Sequence, residues 1–286
     1  MIEMYLFEQL AAVAECGTLV AASEQLHITQ PSMSRAMKKL EETVGVPLFE
    51  HKGNRLELNE YGRLAAQYAR RILDSQAEMV TRIRALERSR RTILLGSCAP
   101  GPLYELPPML SSLYPDQTIS TEIREETTLI AGLKQGTYQQ IILNRETEDP
   151  EISCHFCGTE SLCFSLPKDH PLADRKTLSF AEMDGETFLV YSEVGIWDGI
   201  HRQGMPHSRF ILQPDRASLR EITRSSSLPA FVTDLSLRVF GQDNGRISIP
   251  ISDPSATMSF WCCCMKTQEK KYLKWFQTLE QKYRVR

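Results

Sequence analysis

The chain has 286 residues, 42% of them hydrophobic and 24% charged, with only 15 Gly and 15 Pro. At roughly 150 residues per domain this length implies about two domains with cores of their own, and the composition excludes collagenous, disordered and low-complexity classes. The net charge of −3 neither advertises nor excludes a polyanionic partner, and the longest strongly apolar run, Phe260 to Met265, is far short of the ~20 residues that span a bilayer.

From Met4 to Ala14, Leu6, Leu10 and Val13 recur at helical spacing. Gly17 stops that helix and Thr18 can cap the next, which runs through Ala21, Ala22 and Leu26. His27-Ile28-Thr29 then forms a turn. Thr29 is placed as an N-cap and Pro31 in a first turn, so a third helix is predicted to run to about Val44, where Gly45 stops it. Helix, short turn, helix is the spacing of a helix-turn-helix, whose second helix enters the DNA major groove. Gln30 to Lys39 carries Arg35, Lys38 and Lys39 with no acid, although residues 1 to 91 as a whole hold 13 basic against 12 acidic residues.

Leu48-Phe49 and Leu56-Glu57-Leu58 flank the polar His51-Lys52-Gly53-Asn54-Arg55, a pattern that predicts a β-hairpin wing. From the cap at Asn59, the residues Tyr61, Ala65, Tyr68, Ile72, Met79, Ile83 and Leu86 keep one apolar stripe along a helix. At ~1.5 Å per residue that helix is about 40 Å long, more than a domain of about sixty residues covers, so the stripe is expected to pair with a second chain. Arg88, Arg90 and Arg91 close it, and a hinge follows.

Beyond residue 91 strands alternate with helices: Thr92 to Leu95, Tyr104 to Tyr114, Thr118 to Ile123, Thr127 to Gln135 and Gln140 to Leu143. That alternation predicts a parallel sheet. A second set runs through Leu162 to Leu166, Phe188 to Tyr191, Phe210 to Leu212, Ser218 to Arg224, Phe231 to Thr233 and Phe260 to Cys264, and an amphipathic helix through Tyr272, Trp275, Phe276 and Leu279 ends the chain. Two α/β lobes with a cleft between them follow. This segment holds 20 basic against 24 acidic residues.

The run Ala21 to Arg35, continued by Leu40-Glu41 and Gly45-Val46-Pro47-Leu48-Phe49, resembles the recognition motif of the LysR-type transcriptional regulators. Leu106-Pro107, Tyr114-Pro115-Asp116 and Leu133-Lys134-Gln135-Gly136 extend the resemblance over the chain. It departs at Gln139-Gln140, where the family has an acid, and at Ser225-Ser226-Ser227, where the family has Gly-x-Gly. The resemblance implies a winged helix-turn-helix domain at 1–58, a linker or dimerisation helix and hinge at 59–91, and an α/β effector domain like periplasmic binding proteins at 92–286. Its first lobe would comprise about 92–158 plus 266–286, and its second about 159–265.

For DNA, Thr18, Gln30, Pro31, Ser32, Ser34, Arg35 and Lys38 are the expected contacts from the helices, with Lys52 and Arg55 from the wing. Glutamine reads adenine and arginine reads guanine bidentately, while hydroxyls and a helix N-terminus suit phosphates. For an effector, Ser97, Cys98, Ala99 and Pro100 stand at the carboxyl end of a parallel strand, Thr127 and Thr128 at a helix start, and Ser226 at the altered helix end. The family's cleft residues match Ser97, Cys98 and Thr127.

The eight cysteines lie in a large chain whose N-terminus carries Glu3, Glu8 and Glu15 and no basic region, so neither a signal peptide nor a disulfide framework is expected and a cytoplasmic location is. Cys154-x-x-Cys157 lacks a second pair, and Cys262-Cys263-Cys264 sits in a strand-like run, so both are expected to pack in a core. Cys98 is the thiol placed where a helix dipole can lower its pKa, which leaves a thiol-based redox regulator as the alternative. The six histidines are scattered and no phosphate loop, nucleophile elbow or metal-spaced pair appears, so no enzyme, cofactor or metal is expected. The expected partners are double-stranded DNA bearing an interrupted inverted repeat, a small effector, one or three further copies of the chain, and RNA polymerase.

Overall fold

The computed structural model describes residues 1–52, 55–88 and 91–283, with only the backbone of Lys52, Arg55 and Arg88. It divides into two compact units, Met1–Arg84 and Ala85–Arg286.

In the first unit, α1 (Met4–Cys16), α2 (Leu19–Gln25) and α3 (Gln30–Val44) precede a two-stranded hairpin of β1 (Phe49–Lys52) and β2 (Arg55–Leu58), and α4 (Glu60–Arg88) follows. The core includes Leu6, Leu10 and Val13 of α1, on the predicted helical period, with Ala22 of α2 and Met33, Met37 and Leu40 of α3. Gly17 ends α1 at φ 75°, donating its N–H to the Val13 carbonyl, and the Thr18 hydroxyl accepts from the Ala21 N–H at 3.2 Å. Thr29 occupies the N-cap position of α3 without a side-chain cap bond, which corrects its expected role. The chain turns instead through His27 at φ 53° and an Ile28 N–H bond to the Ser23 carbonyl. Asn59 caps α4, its Oδ1 accepting from the Gly62 N–H at 2.9 Å. Gly62 is required there because a Cβ would lie 2.1 Å from the Leu48 carbonyl oxygen.

The second unit begins with β3 (Thr92–Ser97), α5 (Pro102–Leu113), β4 (Thr118–Ile123), α6 (Glu126–Lys134) and β5 (Gln140–Leu143). The long β6 (Ile152–Pro167) is followed by α7 (Phe180–Met183), β7 (Thr187–Tyr191), α8 (Trp197–Gly204), β8 (Arg209–Gln213), α9 (Arg216–Ser225), β9 (Ala230–Thr233) and α10 (Asp234–Phe240). Then come β10 (Arg246–Pro250), β11 (Thr257–Met265) and α11 (Leu273–Tyr283). Pro107 and Pro108 lie inside α5.

The strand order is β4-β3-β5-β11-β6-β9-β7-β8, with β10 also paired to β6. β3 runs parallel to β4 and β5, and β7 runs parallel to β8 and β9. Between these two parallel halves pass the antiparallel β6 and β11, so β6 pairs with β11 over its first part and with β9 and β10 over its second. This gives the expected pair of lobes, and the antiparallel β6 and β11 that join them are an addition to the parallel sheet predicted from the alternation. Cys157, Cys262, Cys263 and Cys264 are buried in the core and Cys154 is partly buried, as packing predicts. Tyr272, Trp275, Phe276 and Leu279 bury the predicted apolar face of the C-terminal segment.

Candidate nucleic-acid interface and effector cavity

On α3 the apolar residues Met33, Ala36, Met37 and Leu40 turn inward, and the helix therefore leaves Gln30, Pro31, Ser34, Arg35 and Lys38 exposed, with Ser32 half-buried. Arg35 donates through Nε to the Pro31 carbonyl at 3.2 Å, which lays the side chain back along the first turn. Lys39 is drawn off this set: its Nζ lies 2.5 Å from the Glu3 carboxylate and bonds Tyr5, and both partners raise its pKa. Lys38 has no ion-pair partner among the described residues. Thr18 is occupied as a cap, with its side chain half-buried.

The base of the wing is fixed by Glu41, whose Oε1 accepts from the Leu48 and Phe49 N–H groups at 2.7 and 3.2 Å. Lys52 and Arg55 face each other as the last paired residues of the hairpin. The expected turn at Gly53 and Asn54 lies outside the described residues, as do the Lys52 and Arg55 side chains. Along α4, Tyr61, Tyr68, Ile72, Met79 and Ile83 are exposed, with Ile83 retaining 60% of its surface.

In the second unit a cavity of about 380 Å³ opens between the two halves of the sheet. Pro100 and Tyr104 border it from the first half, Glu160 and Leu162 from β6, and Tyr191, Val194 and Trp197 from β7 and the segment leading into α8. Arg216, Leu219 and Arg220 of α9, Phe231 and Thr233 of β9, and Leu237 and Phe240 of α10 complete it. Its size and its mainly apolar walls with a few polar groups are those of a small-molecule site.

Three groups give the cavity its electrostatics. Burial pushes the Glu160 carboxyl up to about 7, opposed by the Thr233 hydroxyl and the Trp197 indole. Burial likewise lowers His201, which stacks between Phe210 and Phe231 with centroids 5.1 and 5.0 Å away, in spite of Asp198 beside it. The Arg216 guanidinium lies 4.3 Å from the Tyr191 ring centroid and 5.0 Å from that of Tyr104, whose hydroxyl it also bonds. Behind α9, the buried Arg246 donates to the carbonyls of Thr223, Ser226, Leu228 and Ser165 and to the Ser165 hydroxyl, and so ties the end of that helix to β6.

Of the residues expected around an effector, Pro100 borders this cavity and the others do not. Ser97 is buried with its hydroxyl bonded to the Ala99 carbonyl at 2.6 Å, and Ala99 is fully buried. Thr127 and Thr128 are exposed in the first turn of α6, whose first residue is Glu126. Ser226 spends its hydroxyl on the Leu228 N–H and its carbonyl on Arg246. Cys98 is 4% exposed, and burial pushes its thiol up to about 12, so the lowering expected from a helix dipole is corrected: desolvation of the thiolate dominates. Glu160, Tyr104, Tyr191 and Arg216 were not expected. Glu160 alone carried a signal, as the one acidic residue in β6.

A helix-turn-helix with a hairpin wing, ahead of a two-lobed α/β unit with a cavity between its halves, defines the class: a winged-helix protein joined to a ligand-binding unit of periplasmic-binding-protein type. Residues 4–63 match the bacterial regulatory helix-turn-helix protein, lysR family, and residues 87–282 match the LysR substrate binding domain. The chain belongs to the LysR family.

Among curated relatives, it is 30% identical over 188 residues to the Hca operon transcriptional activator HcaR of Escherichia coli K12, covering 63% of this chain and 64% of that protein. It is 32% identical over 182 residues to the HTH-type transcriptional regulator CatR of Pseudomonas putida, covering 63% and 62%. The matched part thus spans less than two thirds of these relatives' own length. In fold it is similar to a full-length OxyR variant from Pseudomonas aeruginosa, with a TM-score of 0.54 at 16% identity over 98% of this chain and 95% of that one. Full-length BenM gives a TM-score of 0.52 at 21% identity over 98% and 96%. No single helix among the described residues is long and apolar enough to cross a membrane.

Proposed function

We propose that the chain is a transcription regulator that binds double-stranded DNA through α3 and its wing and changes that binding when a small molecule occupies the second unit. The observation that carries this is the exposed, acid-free set Gln30, Ser34, Arg35 and Lys38 on the second helix of a helix-turn-helix whose family match covers 4–63. In this reading Gln30 and Arg35 face base edges, and Ser32, Ser34 and the Thr18 turn face phosphates. Pro31 sets the start of the helix, Lys38 adds positive charge, and Lys52 and Arg55 reach the adjacent backbone or minor groove.

Copies pair along the apolar stripe of α4 to meet an interrupted inverted repeat, in the cytoplasm and beside RNA polymerase. The division at 1–58, 59–91 and 92–286 belongs to the same proposal, as do effector roles for Ser97, Cys98, Ala99, Pro100, Thr127 and Thr128 of the first lobe and Ser226 of the second. Arg35→Ala is expected to weaken operator binding by about 1–3 kcal/mol and to relax base preference, whereas Arg55→Ala lowers affinity on all DNA and flattens its salt dependence. Anisotropy titrations on operator and random duplexes decide it, and equal losses for Arg35→Ala on both would refute base reading.

A further inference from the structure

Glu160 is 1% exposed and borders the cavity: Oε2 accepts from Trp197 Nε1 at 3.0 Å, the Thr233 hydroxyl stands close enough to favour the carboxylate, and Oε1 makes no hydrogen bond within 3.5 Å among the described residues. Packing holds it there, since a Cβ on Gly101 would lie 2.0 Å from Oε1. A buried acceptor left unpaired is destabilising, and such groups mark the place of an absent partner.

At the exposed rim, Arg216 lies over the two tyrosine rings and has no carboxylate partner among the described residues, whereas its neighbours Arg220 and Arg224 both approach Asp243, at 3.6 and 3.0 Å. A guanidinium has five N–H donors in a planar fork, more than tyrosine hydroxyls use, and that fork matches a carboxylate. The same cavity is lined by the apolar side chains of Trp197, Phe231, Leu219 and Phe240.

We infer that the cavity binds a small aromatic or similarly apolar carboxylic acid that carries a hydroxyl at its far end, the carboxylate on Arg216 and the hydroxyl donating to Glu160 Oε1. This rests on the reading of the cavity as the effector site. A cationic donor is disfavoured in place of the hydroxyl, because the site already presents Arg216 and an ammonium would be stripped of water there. The raised pKa of Glu160 fits the same arrangement, for a carboxyl near neutrality both accepts from and donates to a hydroxyl.

The test uses the full chain and four probes of one shape: 4-hydroxyphenylacetate, phenylacetate, 4-hydroxyphenylethanol and 4-hydroxyphenylethylamine, titrated by calorimetry. The hydroxy acid is expected to bind most tightly, with removal of either end weakening it by roughly tenfold or more. Arg216→Gln should erase the preference for acid over alcohol and keep the preference for the hydroxylated ring. Glu160→Met should do the reverse, a crossed pattern that mere unfolding does not produce.

Equal binding of acid, alcohol and amine, no binding by any of the four, or a preference untouched by either substitution would overturn the inference. If Glu160→Met fails to fold, Gly101→Ala, which crowds Oε1, serves in its place and must cost the hydroxylated acid more than phenylacetate. A hydroxy acid that binds as described yet leaves operator titrations unchanged would contradict the effector reading and not the ligand class.

Discussion

Arg246→Met removes the residue that fixes α9, and with it the rim of the cavity. The guanidinium is 5% exposed and makes bonds of 2.9 Å to the Ser165 hydroxyl, 2.6 Å to the Ser165 carbonyl, 2.9 Å to Thr223, 3.1 Å to Ser226 and 2.8 Å to Leu228. Methionine fills much of the volume and supplies no donor. Acceptors left buried cost about 1–3 kcal/mol each, and those of Ser165 and Thr223, both buried residues, cannot turn to water without moving a strand or a helix end. Relief from burying a cation offsets part of this, which leaves an expected loss of about 2–4 kcal/mol. In a domain of roughly 200 residues that lowers the midpoint of thermal unfolding by about 4–15 °C, read by circular dichroism or calorimetry. Lysine restores the charge but not the fork, so Arg246→Lys should recover only a minor part. A midpoint for Arg246→Met equal to that of the parent chain would refute the assignment of these bonds as the clamp on α9.

The pH dependence follows from Glu160 and has a definite sign. Its folded-state pKa is raised from 4.5 to about 7, so its contribution is fully present below about pH 4.5 and is lost as pH rises through about 7. Glu160→Gln, which mimics the protonated form, should be close to neutral for stability near pH 5 and stabilising near pH 8, and urea titrations showing the opposite order would contradict the burial argument. Operator binding by the parent chain should stay indifferent to mild peroxide because burial disfavours the Cys98 thiolate; a peroxide response that Cys98→Ser abolishes would overturn this. Replacing Ile72 and Ile83, which expose 39% and 60% of their surface, by Asp together should put charge into the pairing stripe and yield monomers by light scattering, and an intact oligomer would return the stripe to another role.

The first unit was legible almost to the residue because its signals are local: Gly17, Thr18, Pro31, Gly45 and Asn59 each act on a neighbour within a few positions. Most strands of the second unit are legible from apolar runs, but α7, α8, α10, β10 and the first part of β6, before Leu162, are not. α10 starts at a capping box in which Ser236 stands where Glu or Gln is usual, and β10 has only Ile247 and Ile249 to show an alternation. The cavity itself was hidden for a different reason. Tyr104, Glu160, Tyr191 and Arg216 lie on separate elements and meet only through the exchange of β6 and β11 between the two halves of the sheet. Ser97 and Cys98 stand at the end of a strand and Thr127 in the first turn of a helix, yet the Ser97 hydroxyl is spent on its own turn, the Cys98 thiol is buried, and the exposed Thr127 does not border the cavity.

Selection of bound duplexes from a random-sequence pool by the full chain tests sequence-specific DNA binding by a paired regulator most directly. Two related half-sites in inverted order, separated by a spacer, are expected to be enriched, with enrichment falling when Arg35 is replaced by alanine. A pool that remains random after selection, or one enriched equally by Arg35→Ala, would contradict it.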